Sequence, residues 1–375
     1  MKIKNWFRFL FVAITATGFC QNNSNYKGTK EKTHDLMHTK LKVDFNFEEK
    51  QLNGEAWITA KPHFYASNTF VLDAKAMLIR EVSVNGKTVD FDYDGAEIKI
   101  KLPKKYTKEE TFTVYLKYIA RPEKVIEKGS AAITGAKGLY FINADGSDKN
   151  KPTQIWTQGE TEGSSCWFPT IDAPNQKTTQ EIYITVPKKY VTLSNGALIS
   201  QTNQDTTRTD YWRMDQKHAP YLFFMGVGAF EIIADTYKDI TVNYYVEKEY
   251  AEYAKDIFGN TPEMLQFFSE KLGVEYPWNK YSQIVVRDYV SGAMENTTAV
   301  VHGEQALQMP GQLIDENKHE NTIAHELFHH WFGDLVTSES WSNLTLNESF
   351  ANYSEYLWQA YKYGEEAAEM HWYEN

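Results

Sequence analysis

The sequence predicts an α+β protein, in which an antiparallel β domain precedes a mainly helical region. Apolar residues first recur with period two, since Leu41, Val43 and Phe45 alternate with polar residues as in a half-buried strand. Strand patterns of this kind continue through the first part of the chain, and helical spacing replaces them further along. We therefore expect an N-terminal β domain at residues 36–236 and a second domain at residues 237–375.

The N-terminus has the pattern of a secretory signal peptide. Positive residues precede a short apolar run, Phe9 to Phe19, and cleavage is expected before Gln21. Lipidation of Cys20 is the weaker alternative, because Phe19 stands where a small residue should precede a lipidated cysteine. The sequence thus predicts a signal peptide at residues 1–20, a flexible leader at residues 21–35, and an exported protein, periplasmic or extracellular.

Composition argues against two kinds of partner. The formal net charge is −11, so a basic face for nucleic acid is not expected. The N-terminal apolar run is too short to span a bilayer stably. If Cys20 leaves with the signal peptide, Cys166 is the single remaining cysteine, and an internal disulfide cannot form.

Strands and tight turns alternate within the predicted β domain. Runs at Ile98–Leu102 and Phe112–Ile119 predict further strands. Dipeptides typical of hairpin turns separate such runs, and they are Asn53-Gly54, Asn85-Gly86, Asp94-Gly95 and Asn195-Gly196.

The second region has helix signals. Thr261 is suited to cap a helix with Pro262 at its first position, and Gly273 is suited to end it. A strand is predicted at Tyr281–Val286, and helices are predicted from about Lys318 to the last residue. Residues 365–375 still have a helical pattern without a stop signal, so we expect the second domain to be incomplete in this chain.

An HExxH motif begins at His325 and ends at His329. On a helix, residues four apart lie on one face, so both imidazoles can bind one zinc ion while Glu326 reaches a zinc-bound water. The alternative is a pair of surface histidines beside a solvated glutamate. A metzincin site would need glycine and histidine at the positions of Phe332 and Leu335, so that type of zinc site is excluded.

A catalytic zinc site needs a third protein ligand. Glu348 follows His329 with eighteen residues between them, which suits a ligand from a second helix. The structural alternative is a capping box formed by Thr345 and Glu348. Glu339 and Glu355 are also near enough in sequence to be considered as ligands.

Further segments carry a resemblance to a known family. Gly292-Ala293-Met294-Glu295-Asn296 has the form GxMEN and lies about thirty residues before the first histidine of HExxH. Thr157-Gln158-Gly159-Glu160 and the segment Tyr221 to Phe230 are similar to parts of the same family's β domain. In this order and spacing, the motifs resemble those of the aminopeptidase N family, peptidase family M1.

The resemblance implies a saddle-like N-terminal β domain followed by the start of a thermolysin-like catalytic domain. It implies one zinc ion per chain, bound by His325, His329 and Glu348, with Glu326 as the general base. The implied reaction is hydrolysis of the N-terminal peptide bond by zinc-activated water.

The resemblance also implies how a substrate is held. Its partners would be peptides with a free N-terminus, whose α-amino group Glu160 and Glu295 would grip. The backbone groups of Gly292 and Ala293 would pair with the peptide as an added strand. The other implied substrate-binding residues are Gln158, Gly292, Ala293, Met294 and Asn296.

The sequence departs from the family pattern in places. His330 stands where many relatives have glutamine, and it points about 100° away from His329, so it is not expected to be a ligand. Ser349 replaces the usual glycine. The family's oxyanion-stabilising tyrosine would fall beyond Asn375, so this chain alone is expected to be weakly active or inactive.

Three other functions are compatible with parts of this pattern. An epoxide hydrolase of the leukotriene-hydrolysing type shares the scaffold but has glutamine where Glu160 stands. Non-catalytic binding proteins on the same fold lose HExxH, which is intact here. A thermolysin-like endopeptidase shares HExxH and a distant glutamate but lacks the GxMEN segment.

Overall fold

The computed structural model of the protein describes residues 31–374. The predicted signal peptide with Cys20, and residues 21–30 of the predicted leader, lie outside the described residues. The first strand begins at His34, so the end of the predicted leader is part of a sheet.

The N-terminal region is built from strands. Within residues 31–230, these strands are β1 (His34–Asn46), β2 (Gln51–Pro62), β3 (Ser67–Asp73), β4 (Met77–Val84), β5 (Lys87–Thr88), β6 (Phe91–Tyr93), β7 (Glu97–Tyr106), β8 (Phe112–Ala120), β9 (Leu139–Ile142), β10 (Gln154–Thr157), β11 (Thr178–Pro187), β12 (Val191–Ser194), β13 (Ala197–Asn203), β14 (Thr207–His218) and β15 (Met225–Gly228). The predicted strands at Ile98–Leu102 and Phe112–Ile119 are confirmed as parts of β7 and β8. Leu41 and Val43 of β1 are buried, as the period-two pattern predicts.

The largest sheet of the described region has eight strands in the order β13-β14-β11-β1-β2-β8-β4-β5. Its neighbouring strands are antiparallel except for β1 and β11, which run parallel with His38 opposite Thr179 and Val43 opposite Ile184. This pair departs from the predicted antiparallel pattern. The physical reason is that period-two alternation reports which face of a strand is buried but not the direction of a partner distant in sequence.

Two smaller sheets complete the described N-terminal region, with orders β12-β15-β10-β9 and β3-β7-β6. One continuous apolar core joins all three sheets, and its members include Ile58, Phe70, Val114, Ile155 and Ile182. Strand β10 leads directly into the segment that carries Glu160, so this core fixes the start of that segment.

The second region combines a mixed sheet with helices. Within residues 231–374, its elements are β16 (Glu231–Tyr237), β17 (Ile240–Val246), α1 (Ala254–Phe258), α2 (Thr261–Leu272), β18 (Lys280–Val286), β19 (Ala293–Met294), β20 (Ala299–Gly303), α3 (Glu320–Phe328), α4 (Thr345–Tyr363) and α5 (Glu365–Glu374). None of these helices is both long and apolar enough to cross a membrane.

The five-stranded sheet of this described region has the order β16-β17-β18-β20-β19, and its β17, β18 and β20 are parallel. The predicted strand at Tyr281–Val286 is confirmed as part of β18. Sequence patterns did not predict β17, β19 or β20. Every residue of β20 is buried, so it lacks alternation, and β19 has only two residues.

The C-terminal end of helix α2 agrees with the prediction, and its N-terminal end does not. Gly273 ends it in the left-handed conformation (φ 65°), which glycine adopts without a steric cost. The predicted N-cap role of Thr261 is wrong, because Thr261 is already the first helical residue. Its hydroxyl donates instead to the carbonyl oxygen of Phe258 at the end of α1, at 2.6 Å.

Hydrogen bonds join the N-terminal sheets to the segment between β19 and β20. The Asn195 side-chain amide donates to the carbonyl oxygen of Thr297 at 2.7 Å. The backbone N–H of Gly196 donates to the Thr298 hydroxyl at 2.8 Å. These donors and acceptors are buried, so each bond would leave unsatisfied groups if broken. The contact therefore fixes the segment that carries Glu295 against the N-terminal region.

Candidate active site

Helix α3 and the residue that follows it present two imidazoles on one face. His325 lies in the last turn of α3, and His329 is the first residue after it, with its backbone still helical. Their Nε2 atoms are 3.0 Å apart. The two rings therefore converge, as their i, i+4 spacing predicts.

Glu348 approaches this pair from α4. Its Oε2 lies 3.5 Å from Nε2 of His325 and 3.7 Å from Nε2 of His329. The ligand atoms of the three residues all lie within 4.8 Å of one another. Two imidazole nitrogens and one carboxylate oxygen form the donor set of a divalent metal ion of the zinc type.

The alternative assignments for acidic residues can be compared with this geometry. Thr345 is the first residue of α4 and not its N-cap, which is Leu344, so the capping box is not formed. Glu339 bonds to Asn175 at 3.0 Å on another part of the surface. Glu355 accepts from Nδ1 of His325 at 2.9 Å, on the side of the ring away from Glu348. Glu355 therefore supports a candidate ligand and is not one itself.

Hydrogen bonds at the outer nitrogens orient both imidazoles. Nδ1 of His325 donates to Glu355, and Nδ1 of His329 donates to the carbonyl oxygen of Phe332 at 3.0 Å. A neutral imidazole with its proton on Nδ1 keeps its lone pair on Nε2. Both Nε2 atoms are thus set up as metal donors, which is the usual arrangement around protein metal sites.

Glu326 is buried beside these residues. Its Oε2 makes no hydrogen bond to any described residue. A carboxylate oxygen of Glu326, one of Glu295 and a ring nitrogen of His329 lie within 4.8 Å of one another. Burial raises the pKa of Glu326 well above its ordinary value, although the charge of His325 opposes the rise. A free carboxylate oxygen with raised proton affinity suits a general base.

Two further carboxylates converge on the same cleft from different regions. Glu295 follows β19 and is buried, and burial followed by the charge of Glu348 raises its pKa. Glu160 follows β10, and its pKa is also raised well above the ordinary value, first by burial and then by the charges of Glu295 and Glu348. A cation that binds among these carboxylates relieves their mutual repulsion. The cleft is therefore built to attract positive charge.

The segment with Glu160 is held against the segment with Glu295. The side-chain amide of Gln158 donates to the sulfur of Met294 at 3.3 Å, and its carbonyl accepts from the Tyr289 hydroxyl. A Cβ at Gly159 would lie 1.9 Å from the carbonyl oxygen of Tyr221, so only glycine allows this close approach. These contacts bring two sequence motifs that are far apart in the chain to one place.

The GxMEN segment forms the edge of the second sheet. The carbonyl oxygen of Gly292 accepts from the N–H of Gly303, and Ala293 is paired with His302. Because hydrogen-bonded and non-bonded pairs alternate in antiparallel strands, the N–H and C=O of Ala293 point toward the open edge. The buried Asn296 turns the chain back, and its carbonyl accepts from the N–H of Ala299 at 2.7 Å.

His330 does not face the candidate metal site. Its Nε2 accepts from the N–H of Thr298 at 3.0 Å, and its Nδ1 donates to the carbonyl oxygen of Glu326 at 3.2 Å. The ring is fully buried, so these bonds stabilise the contact between α3 and the segment before β20.

Sequence reasoning missed two residues that support this site. Tyr221 was assigned only to a family-like segment, yet its hydroxyl lies 3.4 Å from Oε1 of Glu295 and 3.3 Å from Nδ2 of Asn347. Glu355 was considered as a ligand and not as a partner of His325. The signal available for Glu355 was its position two helical turns after Glu348, on the same face of α4.

Two domains of peptidase family M1 match the chain. The Peptidase M1 N-terminal domain matches residues 25–222, and the Peptidase family M1 domain matches residues 257–374. The chain is 29% identical to aminopeptidase N of Lactobacillus helveticus over 87% of the chain. It is 36% identical to glutamyl aminopeptidase of Bos taurus over 52% of the chain. The chain spans 37% and 21% of the lengths of these two relatives.

The fold also resembles a solved structure, that of a two-domain M1 zinc metallopeptidase variant bound to L-tryptophan. The TM-score is 0.76 at 21% sequence identity, and the similarity covers 93% of this chain and 76% of that structure. At this level of identity the similarity concerns the fold. It supports the α+β architecture of a mostly β domain followed by a region with helices.

Proposed function

Because this chain belongs to peptidase family M1, we propose that it is the zinc-binding and amine-recognising part of an aminopeptidase. Such an enzyme hydrolyses the first peptide bond of peptides with a free N-terminus. The observation that supports this most is that two groups of side chains, each suited to bind a cation, converge in one cleft. One is formed by His325, His329 and Glu348, and the other is formed beside it by Glu160 and Glu295.

We propose that one zinc ion per chain is held by Nε2 of His325, Nε2 of His329 and Oε2 of Glu348. Two histidines and one glutamate are a known ligand set of catalytic zinc, which leaves one position open. When bound, zinc lowers the pKa of water and so supplies a nucleophile at neutral pH. The outward hydrogen bonds of both Nδ1 atoms support this assignment, because they leave the Nε2 lone pairs free.

Glu326 is the proposed general base. The oxygen of the attacking water bonds to the carbonyl carbon of the first peptide bond while one water proton passes to Glu326. The C–N bond then breaks, and Glu326 returns that proton to the leaving amine. The carboxylate has a free oxygen for this task, and its burial keeps its proton affinity high.

Glu160 and Glu295 are proposed to bind the substrate's α-ammonium group. Each is a carboxylate whose pKa is raised by burial and by neighbouring negative charge, so a cation between them is strongly favoured. The peptide would continue along the edge of β19, where the backbone groups of Ala293 are open for pairing. Gln158 and Met294 line the junction between the two segments.

We also propose that the enzyme is exported. The support is the N-terminal sequence, in which positive residues precede the apolar run Phe9 to Phe19. N-terminal sequencing of the exported protein should give Gln21, or a residue close to it, as the first residue. A diacylglyceryl mass on Cys20 would identify a lipoprotein instead.

The test of the aminopeptidase proposal compares two substrates in the intact enzyme. One is an aminoacyl anilide with a free amine, and the other is its N-acetyl form. Acetylation removes the charge that Glu160 and Glu295 would bind, and unpaired buried carboxylates cost several kcal/mol. Hydrolysis of the acetylated form is therefore expected to be slower by orders of magnitude.

Glu295→Ala is the matched variant. It should keep its zinc, which is measured by metal analysis, and lose most of the preference for the free amine. If the wild type hydrolyses acetylated anilides or internal peptide bonds equally well, the amine-binding assignment is wrong, and a thermolysin-like endopeptidase is favoured instead.

A further inference from the structure

A chain of hydrogen bonds lies behind His325, on the side away from Glu348. Nδ1 of His325 is 2.9 Å from Oε1 of Glu355, whose Oε2 is 3.0 Å from Nε2 of His371. Nδ1 of His371 is 3.1 Å from Nδ2 of Asn321. Oδ1 of Asn321 is 2.6 Å from Nε2 of Gln359. Five side chains thus form one continuous series.

The donors in this series run in a defined direction. Gln359 donates to Oδ1 of Asn321, so the Asn321 amide nitrogen is the atom that faces His371. An amide nitrogen can only donate, so Nδ1 of His371 must accept, and the proton of a neutral His371 lies on Nε2. His371 therefore donates to Glu355. The carboxylate of Glu355 accepts from a histidine at each of its two oxygens.

Three helices contribute to the series. Asn321 and His325 are one turn apart on α3, Glu355 and Gln359 are one turn apart on α4, and His371 comes from α5. The side chains of His325, Glu355 and His371 are only 15%, 18% and 13% exposed. Water competes weakly for bonds at such low exposure, so the bonds restrict the orientation of all three groups.

From this geometry we propose that His371 is a positioning residue for the metal centre. By donating to Oε2 of Glu355, it holds that carboxylate so that Oε1 accepts from Nδ1 of His325. This fixes the His325 ring with its Nε2 lone pair directed toward His329 and Glu348. The inference rests on the proposed metal centre, and it adds a residue that acts on the metal through two intermediates.

Zinc affinity of the full chain measures this role without any need for catalysis. Partners of metal ligands typically contribute 10–100-fold to metal affinity. We expect His371→Leu to weaken zinc binding by about tenfold or more in competition with a chromophoric chelator. His371→Gln keeps a side-chain N–H donor and should recover most of that loss. Asn321→Ala leaves His371 in place and removes the donor that orients it, so it should weaken zinc binding less than His371→Leu.

His63→Leu is the matched control, because His63 also bonds a carboxylate, that of Asp35 at 2.9 Å, but beside the paired strands β1 and β2 of the N-terminal region. It should leave zinc affinity unchanged. If His371 only packs α5 against α4, the His371→Leu chain will melt at a lower temperature without zinc yet bind zinc as tightly as the wild type. That result would overturn the inference, and so would a His371→Gln chain as weak as His371→Leu.

The wild type separates this inference from the proposed function. Zinc bound by the wild type but insensitive to His371 would remove the positioning role alone. A wild type that binds no zinc would overturn the metal centre itself, together with everything that depends on it.

Discussion

His325 and His329 face each other with 3.0 Å between their Nε2 atoms. Two imidazole lone pairs repel at this distance unless a proton or a metal ion lies between them. Burial opposes protonation of His325, but hydrogen bonds to Glu348 and Glu355 raise its pKa well above the ordinary value. Burial and the charge of His325 lower the pKa of His329 to about 4. The pair therefore holds one positive charge, and a proton and zinc compete for that position.

The first prediction concerns this competition. Metal-free His325 carries a proton at neutral pH because its pKa is raised, and zinc binding must displace that proton. We expect release of about one proton per zinc bound, and affinity should fall as the pH is lowered. Calorimetric titration in two buffers with different ionisation enthalpies measures the protons released. Equal heats in both buffers would contradict the assignment.

The second prediction distinguishes Glu348, the proposed metal ligand, from two other glutamates, Glu355 and Glu339. Glu348→Gln removes a charged donor whose Oε2 faces both histidines, so zinc should be lost during dialysis. Glu355→Gln removes only the acceptor behind His325, so zinc affinity should fall by about 10–100-fold. Glu339→Gln should have no effect, because Glu339 bonds to Asn175 elsewhere. Equal zinc loss from the Glu348 and Glu339 variants would refute the ligand assignment.

Local sequence patterns predicted several parts of the structure that depend on local geometry. Helical spacing placed His325 and His329 on one face, and alternation located β7 and β8. Local patterns were wrong at Asn53-Gly54, which lies within β2 and not at a hairpin turn, and at Thr261, which is not the N-cap of α2. Patterns located β18 but not β20, although both strands are buried along their whole length, and they did not report strand pairing that is distant in sequence. The parallel pairing of β1 with β11 depends on chain topology.

The candidate site was predictable to the extent that its members lie in recognisable motifs. Without the family resemblance, Glu160 and Glu295 would be interpreted as ordinary surface carboxylates. Nothing in the sequence around either residue indicates that the two side chains lie close together. Contacts such as that of Gln158 with Met294 bring them together. Tyr221 and His371 were missed because their partners lie in other elements, and hydrogen-bond geometry becomes visible only in three dimensions.

The third prediction concerns Glu326. Glu326→Gln removes the proposed base, so kcat in the intact enzyme should fall by about 10²–10⁴-fold. Zinc content should be unchanged, and stability should not fall, because Oε2 has no partner to lose within the described residues. Metal analysis, anilide hydrolysis and thermal unfolding measure the three quantities.

Glu320 provides the matched control on the same helix. It is buried and accepts from the Trp358 indole at 2.7 Å and from the Tyr363 hydroxyl at 2.8 Å. Glu320→Gln should therefore lower the melting temperature and leave turnover by the folded enzyme largely intact. A Glu326 variant with full activity would exclude Glu326 as the base.

The fourth prediction is a pH effect on stability. Burial lowers the pKa of His319 from 6.5 to about 4, and its Nε2 lies 2.9 Å from Nδ1 of the buried His302. The unfolded chain thus binds more protons at His319 than the folded chain between these two pH values. The contribution of a neutral His319 is complete above about pH 6.5 and is lost as the pH falls toward 4. The limiting slope is about 1.4 kcal/mol per pH unit.

Other buried groups titrate in the same range, so the test must be differential. The free energy of unfolding of the wild type is compared with that of His319→Gln from pH 7 to pH 5. Relative to the variant, the wild type should become less stable as the pH falls. A difference that does not change with pH would show that His319 keeps its ordinary pKa in the folded protein.

The last prediction concerns Tyr221 and the binding of the substrate amine. The Tyr221 hydroxyl is buried and accepts from the Asn347 amide at 3.3 Å. Its single proton is shared between Oε1 of Glu295 at 3.4 Å and the carbonyl oxygen of Gly333 at 3.3 Å. Tyr221→Phe keeps the ring and its edge-to-face contact with Trp341 but removes the hydroxyl. A hydrogen bond to a charged group contributes about 1.5–3 kcal/mol, and the length of this one places it at the low end. We therefore expect KM for a free-amine anilide to rise by about tenfold, while zinc content and the hydrolysis of any N-acetyl substrate change little.

Tyr118→Phe tests whether the loss of any buried hydroxyl has the same effect. Tyr118 is as buried as Tyr221, but it lies in β8, and its hydroxyl bonds to no described residue. Its removal should leave KM and the preference for free amines unchanged. If the two variants behave alike while the wild type strongly prefers free amines, Glu295 is oriented without Tyr221. A selective loss in Tyr221→Phe alone would mean that a residue of the N-terminal region orients a carboxylate of the second region toward the substrate amine.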